Sequence, residues 1–161
     1  MCRLGTILAT LGVIAGLAAP VSAATAVTVR GDAGWVSTGI RVSAGQHLTV
    51  SALGSVHTAP IPDFHIPGVF KSASGPEGQD QSALCGDVTA TFSKDLLAQT
   101  GPCAYDDAYF GELIGRVGRK TFAIGAATEI VAPASGTLEL AANDLVLTYG
   151  DNTGSFTVVF R

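Results

Sequence analysis

Alternating apolar and polar residues recur along most of this chain and predict a series of short β-strands. Three such stretches occupy the first part of the sequence, at Val27–Val29, Trp35–Val42 and His47–Gly54. The alternation returns in the second half, at Phe110–Gly118, Phe122–Ile124, Thr137–Ala141 and Ser155–Phe160. Many short strands separated by glycine- and proline-containing turns favour an all-β sandwich.

A long stretch near the middle of the chain lacks this alternation. Between Ser55 and about Gly78, four prolines stand among polar and glycine residues. This composition predicts an irregular loop, and a loop of such length in a compact domain is usually functional or mobile.

The N-terminal residues have the pattern of a secretory signal peptide. Arg3 provides the positive start, the next residues to Leu17 are almost all apolar or small, and Ala23 ends a small-x-small cleavage site. A retained membrane anchor is the alternative, but the apolar run is short for a bilayer core of about 30 Å. We therefore expect a signal peptide at 1–23 and one domain at 24–161. The mature protein is expected to be soluble and secreted, periplasmic or extracellular, with no membrane insertion after cleavage.

Cysteine usage agrees with export. Cys2 belongs to the leader, so the mature chain keeps Cys85 and Cys103, and an even pair in an exported protein suggests a disulfide. Two buried free thiols are the alternative, while zinc is poorly supported because no histidine is near either cysteine in sequence. The enclosed segment resembles an insertion, in which Val88–Phe92 predicts a short strand and Lys94–Ala98 predicts one or two helical turns.

The charge balance limits the classes of partner. Nine basic residues stand against thirteen acidic ones, for a net charge of −4, and loss of Arg3 with the leader makes the charge more negative. Because no basic cluster is present, nucleic acid and anionic membrane surfaces are disfavoured as partners.

Catalytic motifs are also missing from the sequence. Asp106 and Asp107 form the only adjacent carboxylate pair, and neighbouring residues on a strand point to opposite faces rather than across one cleft. The chain has no Gly-x-Ser-x-Gly elbow, no His-Glu-x-x-His pair and no P-loop. We expect a protein that is not an enzyme.

Side-chain oxygens are concentrated between the last two predicted strands. Asn143 to Thr153 holds two carboxylates, two carboxamides and two threonines. Calcium prefers such a mixture of carboxylate, carboxamide and carbonyl oxygens, so Asp144, Asp151, Asn152 and a main-chain carbonyl near Thr148 are candidate ligands. A plain hairpin is the alternative, because Asp-Asn-x-Gly is common turn chemistry that needs no metal.

This loop resembles the metal loop of the galactophilic calcium lectins of bacteria, the LecA type. The matching residues are Asn143-Asp144, Thr148-Tyr149-Gly150, Asn152 and Gly154-Ser155-Phe156. Asp151 replaces an asparagine of the family and Thr153 replaces a serine, and both keep an oxygen. The resemblance implies that Asp144, Asp151 and Asn152 bind calcium through side chains and Thr148 through its carbonyl. It also implies a jelly-roll or galactose-binding-like β-sandwich.

The first half of the chain extends the resemblance. Trp35-x-x-Thr38-Gly39-Ile40 and Ala52-x-Gly54 are similar to the family's N-terminal strands, although a tryptophan there is more typical of a core anchor than of a sugar platform. In the family, a carbonyl shortly after the Ala-x-Gly strand completes the calcium shell. The matching residue is Thr58, with His57 as the alternative.

The sugar-contacting residues are where the resemblance is weakest. The family places a histidine and a glutamine after a Gly-Pro-x-Gly element, whereas Gly75–Gly78 is followed here by Gln79, Asp80 and Gln81. The galactose-specific pair therefore has no match. The resemblance implies that calcium binds adjacent hydroxyls of a galactoside or another glycan, and the candidate ligand-binding residues are Asp144, Asp151, His57, Gln79, Asp80 and Gln81.

Two functions are consistent with this sequence. The first is a secreted calcium-dependent carbohydrate-binding domain of the galactose-type lectin kind. Lectins often gain avidity by multivalent assembly, so a homo-oligomer is one expectation. The alternative is a non-catalytic structural or interaction module, in which calcium stabilises the loop and no sugar binds.

Overall fold

The computed structural model describes residues 24–58, 73–78 and 83–161. The predicted signal peptide at 1–23 lies outside these residues, as do Gln79, Asp80, Gln81 and most of the proline-rich loop. In the described part of the chain, no helix is long and apolar enough to cross a membrane.

The described residues form two four-stranded antiparallel sheets, which confirms the predicted all-β sandwich. One sheet has the order β1-β8-β3-β6 and the other the order β2-β7-β4-β5. The strands are β1 Thr25–Arg30, β2 Val36–Val42, β3 His47–His57, β4 Leu113–Val117, β5 Lys120–Ala123, β6 Ala127–Val131, β7 Gly136–Ala142 and β8 Thr153–Phe160.

The main core lies between the sheets and follows from the alternation in the sequence. On β3, the buried residues Leu48, Val50 and Ala52 alternate with more exposed neighbours, because successive side chains of a strand point to opposite faces. Leu138 and Leu140 do the same on β7 of the facing sheet. Burial of each such aliphatic side chain contributes about 1.5–3 kcal/mol to the stability of the fold. The pattern of apolar residues therefore determines the register in which the strands pair.

The segment between the cysteines is helical, and the strand predicted at Val88–Phe92 was wrong. Helix α1 spans Cys85–Thr89 and helix α2 spans Lys94–Thr100. The prediction failed because α1 is too short to leave a helical period in the sequence, and Val88 and Thr89 are β-branched residues that favour strands. The helix predicted at Lys94–Ala98 is confirmed, and Ser93 caps it by accepting a hydrogen bond from the Leu96 N–H at 3.1 Å.

A disulfide joins Cys85 and Cys103, which confirms the predicted pair. Both cysteines belong to a second, smaller apolar core outside the sandwich. This disulfide cluster, as we call it, consists of Cys85, Val88, Phe92, Cys103, Phe110 and Leu145.

Trp35 contacts the outer face of one sheet rather than a free sugar surface. The Arg116 guanidinium lies 4.3 Å from the centre of its ring, and the Arg116 Nε donates to Glu139 at 2.8 Å. Trp35 also packs against a small cluster that contains Ile114 and Ala141. Trp35 is therefore held by packing and by a stacked cation outside the main core, so the core position expected for it was wrong.

Candidate functional site

The oxygen-rich loop lies between β7 and β8, as its position between two predicted strands indicated. β3 is the neighbour of β8 in the same sheet, and His57 at its end is paired with Thr153 at the start of β8. Thr58 therefore follows β3 at the end of the sandwich where the loop returns. The pairing brings the first half of the chain next to the C-terminal loop.

Asn143 holds the start of the loop. Its side chain is fully buried, its Oδ1 accepts from the Tyr105 N–H at 3.0 Å, and its Nδ2 donates to the carbonyls of Tyr105 and Ala108 at 2.9 and 3.1 Å. The main chain adds two bonds, from Asn143 N–H to the Glu112 carbonyl and from Gly111 N–H to the Asn143 carbonyl. Sequence reasoning missed this role, since a carboxamide at the end of a strand gives no signal of its partners.

Asp144 is a carboxylate in an almost closed environment. Its side chain is 2 % exposed, its Oδ1 accepts from the Leu145 N–H at 2.8 Å, and its Oδ2 accepts from Asn152 Nδ2 at 2.7 Å. Burial raises the pKa of Asp144 to about 6, against the opposing effect of these two hydrogen bonds, and the nearby Asp151 carboxylate adds to the increase. No cationic side chain of the described residues is among the groups that shift this pKa.

The second half of the loop turns back towards Asp144. Tyr149–Asp151 forms a single 3₁₀ turn, in which the Thr148 carbonyl accepts from the Asp151 N–H at 3.2 Å. Asp151 is exposed, whereas Asn152 is 4 % exposed and directs its Nδ2 to Asp144 and to the Gly31 carbonyl at 3.3 Å. The turn thus brings the Asn152 side chain against Asp144, while Asp151 is near enough for its charge to act on Asp144.

Thr58 lies close to Gly111, which is hydrogen-bonded to Asn143. It is fully buried, and its hydroxyl has no hydrogen-bond partner among the described residues. A Cβ placed on Gly111 would lie 4.0 Å from the Thr58 methyl group, and Gly111 donates to the Asn143 carbonyl. His57 is half-buried. Both residues proposed for the fifth ligand therefore lie at this end of the sandwich.

Tyr149 packs beside the oxygen-rich loop, and the sequence does not indicate a separate role for this residue. Its ring lies beside Gly34, which has a φ of +59°, and a Cβ placed on Gly34 would lie 3.5 Å from the ring. The Tyr149 hydroxyl is buried without a hydrogen bond of ordinary geometry in the described part of the chain. Burial raises the pKa of Tyr149 well above its usual range, and the Asp144 carboxylate raises it further. Two buried hydroxyls, those of Tyr149 and Thr58, thus have no hydrogen-bond partner of ordinary geometry among the residues that the structure describes.

The donor set has the chemistry of a hard-cation site. Across the described ranges, no three His, Cys, Asp or Glu side chains are grouped to hold a metal, so a transition-metal centre of that type is not formed there. Two carboxylates, a carboxamide and main-chain carbonyls are instead the mixture that calcium takes. The residues present fit that ion in charge and in donor type.

Comparison with known proteins shows a fold shared with solved structures, without a match to a family model or to a curated sequence. No family model matches the chain, and no curated protein matches it in sequence. Eight chains of solved structures are similar to it. One of them is described as "EclA N-terminal domain; PllA-like lectin", with a TM-score of 0.56 and 20 % identity over 84 % of this chain and 92 % of that chain. At this identity the similarity shows that the two chains share a fold.

Proposed function

We propose that this domain binds a calcium ion in the loop from Asn143 to Asn152 and, through that ion, a carbohydrate. The observation that carries the proposal is the buried carboxylate of Asp144, whose pKa the charge of Asp151 raises and no cationic side chain of the described residues lowers. The name of the structural neighbour, a PllA-like lectin, supports the carbohydrate part.

The electrostatics of Asp144 favour a bound cation. An ionised carboxylate removed from water costs several kcal/mol unless an opposite charge compensates it. Asp151 increases this cost, because the two carboxylates repel each other. A divalent ion between the two carboxylates would attract both of them. The two negative charges would then stabilise a bound cation instead of repelling each other.

Five residues would hold the ion. Asp144 and Asp151 would provide the charge, and Thr148 would provide a main-chain carbonyl, whose second lone pair remains after its bond to Asp151 N–H. Asn152 directs its Nδ2 to Asp144, so ligation through this residue requires the amide to turn and present Oδ1. The last carbonyl would come from Thr58 or from His57.

The sugar would be held by the ion and by the surrounding chain. Bound calcium supplies coordination positions for two adjacent hydroxyls of a sugar, without proton transfer. Asp144 and Asp151 would accept hydrogen bonds from those hydroxyls, and His57 would lie at the side of the ligand. Gln79, Asp80 and Gln81 lie outside the described residues, and their contact with the sugar stays a prediction.

One observation favours a second candidate function, a calcium-stabilised structural module. Asp144, Asn152 and Thr58 are at most 4 % exposed, so most of the ligand atoms face inwards rather than towards a sugar. In that case the ion would fasten the loop to β3 and no glycan would bind.

Calorimetric titration of a broad glycan panel, in calcium and in chelator, separates the two functions. We expect calcium-dependent binding heat with at least one glycan that has adjacent hydroxyls. Asp144→Asn should abolish this heat, while Asp95→Asn, an exposed change on α2, should keep it. A rise in melting temperature with calcium but no heat from any glycan would favour the structural module.

A further inference from the structure

The part of the candidate calcium loop that follows Asn143 is hydrogen-bonded to the end of the segment between the two cysteines rather than to the sandwich. Three main-chain hydrogen bonds connect it to residues 100–104, which we call the clamp segment. They run from Ala104 N–H to the Asp144 carbonyl at 2.9 Å, from Val146 N–H to the Pro102 carbonyl at 3.0 Å and from Leu147 N–H to the Thr100 carbonyl at 3.0 Å. Cys103 and Leu145 form the β-bridge at the centre of this contact.

Side-chain packing couples the same segment to the disulfide. Leu145 is fully buried, yet it packs in the disulfide cluster and is not part of the sandwich core. The neighbouring Val146 and Leu147 are 40 % and 65 % exposed, so Leu145 is the apolar anchor of this stretch. Its N–H also donates to Asp144 Oδ1 at 2.8 Å, which links the anchor directly to the carboxylate.

The disulfide ties the clamp segment covalently to α1, in addition to the apolar packing of Val88 in the same cluster. Cys85 is fully buried on α1, and Cys103 is the central residue of the β-bridge to Leu145. The other half of the loop has a separate support, because Asn152 precedes β8 and donates to Gly31. Loss of the disulfide should therefore loosen the side of the loop that carries Asp144 more than the side that carries Asn152.

We infer that Cys85 and Cys103 are positioning residues for the calcium site: their disulfide fixes the clamp segment, which fixes Leu145 and thereby the Asp144 carboxylate. The part of this inference that concerns calcium affinity rests on the proposed function. The part that concerns the order of the loop does not, and the two parts are measured separately.

The test compares the wild-type chain with the double variant Cys85→Ser and Cys103→Ser. Backbone hydrogen exchange reports the loop directly, and calcium titration reports the affinity. We expect exchange at Val146 and Leu147 to accelerate by about tenfold or more, and the Kd for calcium to rise by about tenfold, as for other groups that orient metal ligands. Exchange in β6 should change much less.

Ile130→Ala provides the matched control. This residue is buried at the end of the sandwich remote from the loop, where it pairs with Leu48 of β3. The substitution should lower the melting temperature while it leaves loop exchange and calcium affinity unchanged. If the double serine variant does not fold, reduction of the disulfide in the folded wild-type chain gives the same two readouts.

Each outcome decides the inference. Faster exchange at Val146 and Leu147 with weaker calcium binding supports it, and wild-type exchange in the disulfide-free chain overturns it. Equal losses in Ile130→Ala also overturn it, because general destabilisation would then be sufficient. If the wild type binds no calcium, the proposed function fails, and exchange at Val146 and Leu147 alone decides whether the disulfide orders the loop.

Discussion

At the scale of single residues, Asp144 is the group whose environment departs most from that of an ordinary carboxylate. It is buried, and its two oxygens accept hydrogen bonds from Leu145 and Asn152. The one charged side chain among the described residues that shifts its pKa is Asp151, another carboxylate. Together, these features make the charged form of Asp144 unfavourable unless a cation joins it.

A pH dependence follows for the protein in chelator. The pKa of Asp144 is about 6 in the folded chain, and its ordinary value is 3.8. Between pH 3.8 and about 6, the carboxyl group is therefore protonated in the folded state and ionised in the unfolded state. Stability must then rise as the pH falls. Relative to Asp144→Asn, the wild-type free energy of unfolding should increase by about 1 kcal/mol from pH 7 to pH 5. Urea unfolding at both pH values measures it, and a constant difference would contradict the assignment.

Asn143 provides a second prediction at this scale. Asn143→Ala removes the partner of the Tyr105 N–H and of the buried carbonyls that its Nδ2 contacts. Groups left buried and unpaired should reduce the free energy of unfolding by about 3 kcal/mol. Gln99→Ala, an exposed change on α2, should stay within about 0.5 kcal/mol of wild type. Equal unfolding midpoints for the two variants would show that the carboxamide is dispensable.

At the scale of elements, β3 and β8 approach each other closely just before they reach the candidate site. Gly54 and Gly154 have φ values of +110° and +84°, and a Cβ on Gly154 would lie 2.2 Å from the Ser55 carbonyl oxygen. A backbone atom cannot move aside as a side chain can. The pairing that brings Thr58 towards the loop therefore depends on glycine at these positions.

Gly154→Ala should for this reason destabilise the domain by about 3 kcal/mol or more. Gly150→Ala is the matched control, since nothing lies within 4 Å of its Cβ position. The control should behave almost as the wild type does in thermal unfolding. Similar melting temperatures for the two variants would mean that the β3–β8 approach is not as described.

The elements differ in how far the sequence reveals them. β3 is visible because Leu48, Val50 and Ala52 on one face are buried and the residues between them are less so. β7 shows the same alternation at Leu138 and Leu140, although Ala141 on its other face is also buried. Helix α1 is not visible in this way, because five residues give too few turns for a helical period and Val88 and Thr89 favour strands. The position of the oxygen-rich loop follows from the strands that flank it.

Contacts between residues that are far apart in the sequence could not be predicted from it. The contacts of Asn143 with Tyr105 and Ala108 join residues more than 30 positions apart, and no local pattern encodes such a pairing. The same holds for Leu145, which packs in the disulfide cluster rather than in the sandwich. Residue types indicated which groups could bind a cation, and only the fold shows that Asn152 contacts Asp144 and that the charge of Asp151 acts on it.

At the scale of the whole molecule, two of the apolar clusters formed by the described residues support the candidate site from different sides. The sandwich supports β8 and hence Asn152, while the disulfide cluster supports Leu145 and hence Asp144. A cation that binds both Asp144 and Asn152 would link the two clusters. Calcium should therefore raise the melting temperature of the whole domain, as any ligand of the folded state does.

The most direct measurement is a calorimetric titration of calcium into the chelator-treated wild-type domain. The account predicts one binding site per chain, lost in Asp144→Asn and retained in Asp95→Asn. No binding heat and no change in melting temperature in the wild type, or equal affinities in the wild type and Asp144→Asn, would contradict it.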